Sequence, residues 1–181
     1  MSMDKKKRLG EILKEKSILR GSFKLASGKE RDYYIDGRLT TLDSEGLKLI
    51  GEIFLEEILA DPEVKTVGGP TMGADPIVGS VLTQAGIRNL DFSGFLVRKE
   101  AKDHGTGKLV EGNLNDGASV AVVEDVVTTG GSVLKAIYAI EQEGARVSKV
   151  LVIVDREEGA ERKFNELGYN YFSIFKISEL L

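Results

Sequence analysis

The stretch AVVEDVVTTGGSVLKAI, residues 121–137, decides the fold of this chain. It begins as a nearly continuous apolar run, places two adjacent carboxylates at Glu124 and Asp125, and passes through small residues into a segment with helical spacing. Burying an unpaired carboxylate inside a strand is costly. We therefore expect the two acids at a strand end that opens on solvent or on a ligand.

Strand and helix patterns alternate around this stretch. Apolar runs and helical spacing predict strands at 64–68, 92–99, 119–125, 147–155 and 171–177, and helices at 4–16, 43–62, 77–86, 131–144 and 157–168. Two short extended pieces are predicted within residues 23–36, around a turn at Ser27 and Gly28. This alternation predicts an α/β fold with a mainly parallel sheet covered on both faces. Ligands bind such sheets outside the carboxyl ends of the strands, which is where the two acids fall.

Composition narrows the class of protein. The chain has 181 residues, 41% apolar and 30% charged, which suits one domain over residues 1–181. It has no cysteine, which excludes disulfides and thiolate chemistry. The basic N-terminus lacks the apolar segment of a signal peptide, so a cytoplasmic protein is predicted. A net charge of −4 provides no general attraction for nucleic acid.

The turn TTGGS, residues 128–132, has the composition of an anion site. Small side chains before a helix let backbone N–H groups converge on a phosphate, and Thr128, Thr129 and Ser132 add hydroxyl donors. Carboxylates repel phosphate but accept hydrogen bonds from vicinal hydroxyls, so the pair suggests a ribose 5-phosphate. A helix cap with turn glycines is the alternative, and it does not explain the two adjacent acids. A Walker loop and a GxGxxG motif are both absent.

Residues 121–137 resemble the 5-phosphoribosyl-1-pyrophosphate (PRPP) binding motif of the type I phosphoribosyltransferases. The resemblance implies that family's fold, with a small N-terminal hood over about residues 1–40 and a core over about residues 41–181. It implies that Glu124 and Asp125 contact the ribose, although the family often has Asp at the first position. The 5′-phosphate would be held by the residues that follow: Val126, Val127, Thr128, Thr129, Gly130, Gly131 and Ser132.

Three more segments resemble the orotate-using members of that family. These are FKLASGKERDYYIDGR at 23–38, FLVRKEAKDHGTGKLVEG at 95–112 and VDREEGA at 154–160. The second has the pattern RKxxKxHG of a flexible catalytic loop, which implies that pyrophosphate meets the cations Arg98, Lys99, Lys102 and His104. Gly105 and Gly107 would serve as hinges of a lid. A solvated basic loop is the alternative interpretation.

The same resemblance implies an orotate site. Its members would be Tyr34, Ile35, Thr128 and Arg156. Orotate carries a carboxylate, which suits the two-pronged guanidinium of Arg156. An ion pair of Arg156 with Asp155 or Glu157 is the alternative, and Tyr34 and Ile35 could equally be core residues of a short strand.

The segment GGPTMGADP, residues 68–76, resembles the family's pyrophosphate loop, with backbone amides near Thr71, Met72 and Gly73 as donors. Some members have a lysine where this chain has Gly73, and a basic residue where it has Ala26. At these two positions the chain therefore offers no direct contact from a basic side chain.

The resemblance implies Mg²⁺-dependent transfer of phosphoribose from PRPP to N1 of orotate, yielding orotidine 5′-monophosphate and pyrophosphate. Lys102, His104, Glu124 and Asp125 would be catalytic, and Mg²⁺ would be held mainly through PRPP and water. The implied assembly is a homodimer that shares the cationic loop across its interface, without nucleic-acid or membrane partners. The alternatives are a purine phosphoribosyltransferase and a non-catalytic PRPP-sensing regulator.

Overall fold

A computed structural model of the chain describes residues 3–24, 30–100 and 108–181. Its strands are β1 (Ile18–Lys24), β2 (Glu30–Ile35), β3 (Thr66–Pro70), β4 (Ser93–Val97), β5 (Val110–Gly112), β6 (Ser119–Val127), β7 (Arg146–Asp155) and β8 (Asn170–Lys176). Its α-helices are α1 (Met3–Ile12), α2 (Arg38–Thr41), α3 (Ser44–Ile58), α4 (Ala74–Ile87), α5 (Gly131–Gln142) and α6 (Ala160–Glu166). A π-helical turn, Leu13–Ser17, continues α1, and a 3-10 turn, Ile177–Glu179, follows β8.

The central sheet has the strand order β5-β4-β3-β6-β7-β8. Every neighbouring pair is parallel except β4 and β5, which are antiparallel. The predicted α/β fold with a mainly parallel sheet is therefore confirmed. Strand β5 was not predicted from the sequence, because its three residues are too few to give a periodic signal.

Helices cover both faces of the sheet. In β6, Ala121 and Val123 belong to the apolar cluster that α1, α3 and α4 bury. The alternate residues Val120 and Val122 belong to the second cluster, which α5 and α6 bury. Side chains of a strand point to opposite faces in turn, so an unbroken apolar run is what a strand buried on both sides requires.

The N-terminal hood is a hairpin laid against this core. Strands β1 and β2 pair antiparallel, with a register shift between Arg20 and Phe23. Ile18, Tyr33 and Ile35 pack into the same apolar cluster as α3 and α4. Because the hairpin contributes side chains to the main core, its position relative to the carboxyl ends of the strands is set by packing.

Several element ends differ from the prediction. Strand β6 continues to Val127, because Val126 and Val127 still pair with Val154 and Asp155 of β7. Helix α3 begins where expected, since the Asp43 side chain accepts a hydrogen bond of 2.9 Å from the Gly46 N–H.

Within the described part of the chain, none of the helices is long and apolar enough to cross a membrane.

Candidate active site

A cleft of about 980 Å³ lies at the carboxyl ends of the central strands. Its lining comes from the loop after β3, the end of β4, the acids of β6 and the first turns of α5. The residues are Arg38, Pro70, Thr71, Met72, Gly73, Val97, Arg98, Lys99, Glu100, Leu109, Glu124, Asp125, Ser132, Leu134, Lys135, Ala136, Tyr138 and Ala139. The structure thus brings together predicted site residues from three separate segments of the chain, 68–76, 95–112 and 121–137.

The two acids of β6 have different environments. Glu124 is only 7% exposed, and its Oε1 accepts a hydrogen bond of 3.1 Å from the Asp125 N–H. Asp125 is half-buried, and its Oδ1 accepts one of 2.7 Å from the Val126 N–H. Burial, followed by the neighbouring charge of Asp125, raises the pKa of Glu124 to about 9. We expected both acids at an open strand end, but the longer strand buries Glu124 against the loop after β3.

That loop approaches the acids through Gly73. A Cβ added to Gly73 would stand 2.1 Å from Glu124 Oε1 and 2.7 Å from Asp125 Oδ1. The Thr71 N–H donates to the Val97 carbonyl at 2.9 Å, which ties the loop to β4, and the Thr71–Met72 peptide is cis. The loop therefore places its backbone directly beside both carboxylates, as a glycine permits.

Helix α6 packs against the turn after β6. Gly130 has a left-handed backbone, φ +77°, and a Cβ there would stand 2.8 Å from the Phe164 ring. The Lys163 ammonium donates to the Thr129 carbonyl at 2.9 Å. Thr128 is half-buried, Thr129 is exposed, and Ser132 alone of residues 126–132 lines the cleft. The turn leads into α5 with its N-terminal N–H groups at the sheet edge, an arrangement that suits an anion.

Cations also line the cleft. Arg98 and Lys99 follow β4, and the Arg98 N–H donates to the Leu109 carbonyl at 2.9 Å. The charge of Lys99 acts on Glu124 and partly offsets the rise in its pKa. The predicted cations Lys102 and His104 lie outside the described residues, as does Ala26.

Arg156 lies at the end of β7, away from the cleft lining. Its Cζ is 5.9 Å from the centroid of the Tyr33 ring, and its side chain is 15% exposed. The Nε lies 3.4 Å from Glu158 Oε1 and has no hydrogen-bond partner among the described residues. The contact with Glu158 takes the place of the ion pair with Asp155 or Glu157 that we considered as the alternative. Asp155 instead accepts a hydrogen bond of 2.7 Å from the Tyr171 hydroxyl.

The other predicted orotate residues do not line the cleft. The Ile35 side chain is buried in the core. Tyr34 is exposed and packs on Phe23, with ring centroids 5.7 Å apart. Neither they nor Thr128 belong to the lining of the cleft.

Sequence reasoning missed several residues at or near the site. Arg38 lines the cleft and is fixed by Asp36 through two hydrogen bonds of 2.8 and 2.9 Å. Its position at the end of the segment 23–38 was the available signal. Lys135 on α5 and Lys163 on α6 lack such a signal, because lysines on helices usually face solvent.

The chain is similar to known proteins in its family model, its sequence and its structure. The family model for the phosphoribosyl transferase domain matches residues 41–175. The orotate phosphoribosyltransferase of Streptomyces coelicolor is 45% identical over 175 residues, covering 94% of this chain and 96% of that protein.

Two solved structures of Mycobacterium tuberculosis orotate phosphoribosyltransferase are also similar. One, in complex with Fe(III) dicitrate, superposes with a TM-score of 0.84 at 36% identity, over 97% of this chain and 98% of that one. The other, in complex with PRPP, has a TM-score of 0.80 at 34% identity, with the same coverage.

Proposed function

This chain belongs to the phosphoribosyl transferase family, and from that premise we infer that it catalyses the orotate phosphoribosyltransferase reaction. PRPP and orotate are converted to orotidine 5′-monophosphate and pyrophosphate, a step of pyrimidine synthesis. The observation that carries this inference is the meeting of an acid pair, the start of α5 and the cations Arg98 and Lys99 at one cleft. Relatives over nearly the whole chain, with orotate in their names, favour orotate over a purine base.

In the proposed complex the ribose lies over the acids. Asp125 and Glu124 accept hydrogen bonds from the ribose hydroxyls, while the turn of residues 126–132 holds the 5′-phosphate through N–H and hydroxyl donors. The Asp125 carboxylate also faces the positive charge that develops on the ribose ring as the reaction proceeds, and Glu124 presents its carboxyl oxygens to the same ring. Glu124, which is protonated more readily than an ordinary carboxyl, can also donate a hydrogen bond.

The chemical step breaks the bond between C1 of the ribose and a pyrophosphate oxygen, and the bonding electrons leave with pyrophosphate. N1 of orotate supplies the electron pair of the new C–N bond. Arg98 and Lys99, together with Lys102 and His104, stabilise the charge on the leaving group. Orotate can arrive with N1 already deprotonated, so the step requires no general base.

We assign Mg²⁺ as the cofactor, held mainly by PRPP oxygens and water. The donor set fits this arrangement, because Asp125 and Glu124 offer carboxylate oxygens to bound water beside the position of the ribose. When bound, Mg²⁺ neutralises charge on pyrophosphate. The backbone of Thr71, Met72 and Gly73 would face the same pyrophosphate group, without the side-chain cation that some family members have at the Gly73 position.

Orotate recognition is assigned to Tyr34, Ile35, Thr128 and Arg156. Support comes from the half-buried side chain of Arg156, whose buried Nε lacks a hydrogen-bond partner among the described residues. A carboxylate that met the guanidinium side on would satisfy two N–H donors at once.

The proposed assembly is a cytoplasmic homodimer, in which each subunit is one domain with a hood over about residues 1–40. Charged substrates such as PRPP do not cross membranes freely, which favours an enzyme located where they are made. Each cationic loop would act in the neighbouring site, as a two-fold axis makes possible.

One assay tests the function. Pyrophosphate release is measured with PRPP and Mg²⁺ in the presence of orotate, uracil or hypoxanthine. We expect turnover with orotate, little with uracil, which lacks the carboxylate, and none with hypoxanthine. Turnover with hypoxanthine alone would identify a purine enzyme, and PRPP binding without release would identify a regulator.

A further inference from the structure

Helix α6 contacts the turn of residues 128–132 through two consecutive side chains. The Lys163 ammonium donates a hydrogen bond of 2.9 Å to the Thr129 carbonyl. A Cβ on Gly130 would stand only 2.8 Å from the nearest atoms of the buried Phe164 ring. The peptide between Thr129 and Gly130 is thus held from the side that faces α6.

The direction of this peptide has a consequence for the ligand. In a trans peptide the carbonyl and the N–H point in opposite directions. When Lys163 holds the Thr129 carbonyl toward α6, the Gly130 N–H is directed away from α6. Ser132, one turn further on, lines the cleft, whereas α6 contributes no residue to the lining. The Gly130 N–H therefore faces the side from which the 5′-phosphate would approach.

The charged side chains of α6 also favour a phosphate at this turn. The acids of this helix have cationic partners of their own: Glu166 pairs with Arg162 at 2.7 Å, and Glu161 pairs with Lys176 at 2.8 Å. Lys163 directs its charge at the turn. A phosphate on the other side of one peptide lies well within the screening length of about 10 Å at 0.1 M salt, so it is attracted.

We propose that Lys163 is a positioning residue for the 5′-phosphate of PRPP. It holds the Thr129 carbonyl, directs the Gly130 N–H to the phosphate, and adds a positive charge behind the turn. This inference rests on the proposed function, because it assigns the turn to the 5′-phosphate and the loop after β3 to pyrophosphate. It adds α6 to the PRPP site.

The test separates the two phosphate subsites. Binding of ribose 5-phosphate and of Mg²⁺-pyrophosphate is titrated by calorimetry in the wild type and in Lys163→Met, which keeps the side-chain length but removes charge and donor. We expect ribose 5-phosphate to bind roughly 5-fold more weakly, which is the size of effect that one ordinary hydrogen bond has. Pyrophosphate affinity and the KM for orotate should be unchanged. Lys163→Arg should restore most of the affinity.

Arg162→Met is the matched control, since it removes a neighbouring cation whose partner, Glu166, lies on α6 itself. It should leave both affinities unchanged. Equal weakening of both ligands, or none, in a Lys163→Met protein with normal unfolding would overturn the proposal. If Lys163→Met does not fold, Lys163→Gln is measured by the same criteria. A wild type that binds ribose 5-phosphate but releases no pyrophosphate with orotate would instead refute the proposed function.

Discussion

Gly73 and Glu124 are in backbone-to-carboxylate contact, so close that a Cβ on Gly73 would stand 2.1 Å from Glu124 Oε1. The buried Glu124 side chain and the backbone of the loop after β3 therefore pack directly against each other. Family members with lysine at the Gly73 position require a different arrangement of this loop or of the acid. Glycine at position 73 therefore leaves the room that the Glu124 side chain occupies. Its effect goes beyond the absence of a lysine charge.

Gly73→Ala should therefore damage the site while sparing the fold. Its φ of −61° suits alanine, and the atoms it would meet are the ends of the Glu124 and Asp125 side chains, which would have to move. Displacing a positioning group by about 1 Å can cost about a hundredfold in rate, so we expect a fall of that order in kcat/KM for PRPP.

Gly79→Ala is the control for that substitution. Gly79 lies in α4, and a Cβ there would meet no atom within 4 Å. Its kinetics should match the wild type, and thermal unfolding should show both variants folded. Wild-type kinetics in Gly73→Ala would mean that the loop and Glu124 adapt without consequence.

Glu124 should also make stability depend on pH. Burial, and then the charge of Asp125, raises its pKa from 4.5 to about 9, whereas the unfolded chain titrates near the ordinary value. Between these values the folded state holds the extra proton, so stability falls as pH rises through this window. In Glu124→Gln this contribution is absent. Urea unfolding from about pH 5 to about pH 9 should show a larger decline in the wild type than in the variant. Parallel curves would show that Glu124 titrates normally.

The sequence predicted most of this architecture because the strands of the central sheet are buried on both faces. Residues 120–123 and 150–154 therefore read as unbroken apolar runs, and the helix between them shows clear spacing. Strand β5 has only three residues, and the sequence pattern did not predict it. The end of β6 was misplaced because two acids inside a strand resemble a strand terminus, and only pairing with β7 extends it to Val127.

The cleft was predictable where chemistry and sequence order coincide. Glu124, Asp125 and Ser132 follow one strand, and the carboxyl ends of parallel strands share an edge. The partners of Arg156 were not predictable, because Tyr33 comes from a hairpin more than a hundred residues away and Glu158 lies two residues on. Long-range packing of this kind leaves no periodic trace in the chain.

Arg156→Lys should weaken orotate far more than PRPP. An ammonium can neither meet a carboxylate with two parallel N–H donors nor reproduce the contact of the guanidinium with the Tyr33 ring, whose centroid lies 5.9 Å from the Arg156 Cζ. We expect the KM for orotate to rise about tenfold or more, corresponding to one lost charge-assisted hydrogen bond. The KM for PRPP should change little. Initial rates over a grid of both substrates measure this, and equal rises in both constants would assign Arg156 a structural role.

Tyr33 offers an independent check on the same side chain. Tyr33→Phe keeps the ring face beneath Arg156, while Tyr33→Leu removes it. If the ring orients the guanidinium, the leucine variant should raise the KM for orotate by about threefold and the phenylalanine variant should not. In an Arg156→Lys background the leucine substitution should have a smaller effect. Identical behaviour of the two Tyr33 variants would remove the ring from orotate binding.

Asp125→Asn should keep the fold and lose most of the activity. The carboxamide oxygen can still accept from the Val126 N–H, and the side chain is only half-buried. Removing the charge that faces the developing cation should lower kcat about a hundredfold. Circular dichroism checks the fold and single-turnover rates check the chemistry. Full activity would exclude Asp125 from the reaction.

The proposed shared site can be tested by mixing two inactive chains. Lys102→Ala is defective in the cationic loop, and Asp125→Asn is defective in the ribose site. After subunit exchange at equal concentration, about half of the dimers are mixed, and each mixed dimer contains one site built from two intact parts. Activity should therefore return to about one quarter of the wild-type value. A loop that serves its own subunit restores nothing, because every site then carries one of the two defects. Exchange is verified with differently tagged chains, and activity that stays at the sum of the separate variants would show that Lys102 acts within its own subunit.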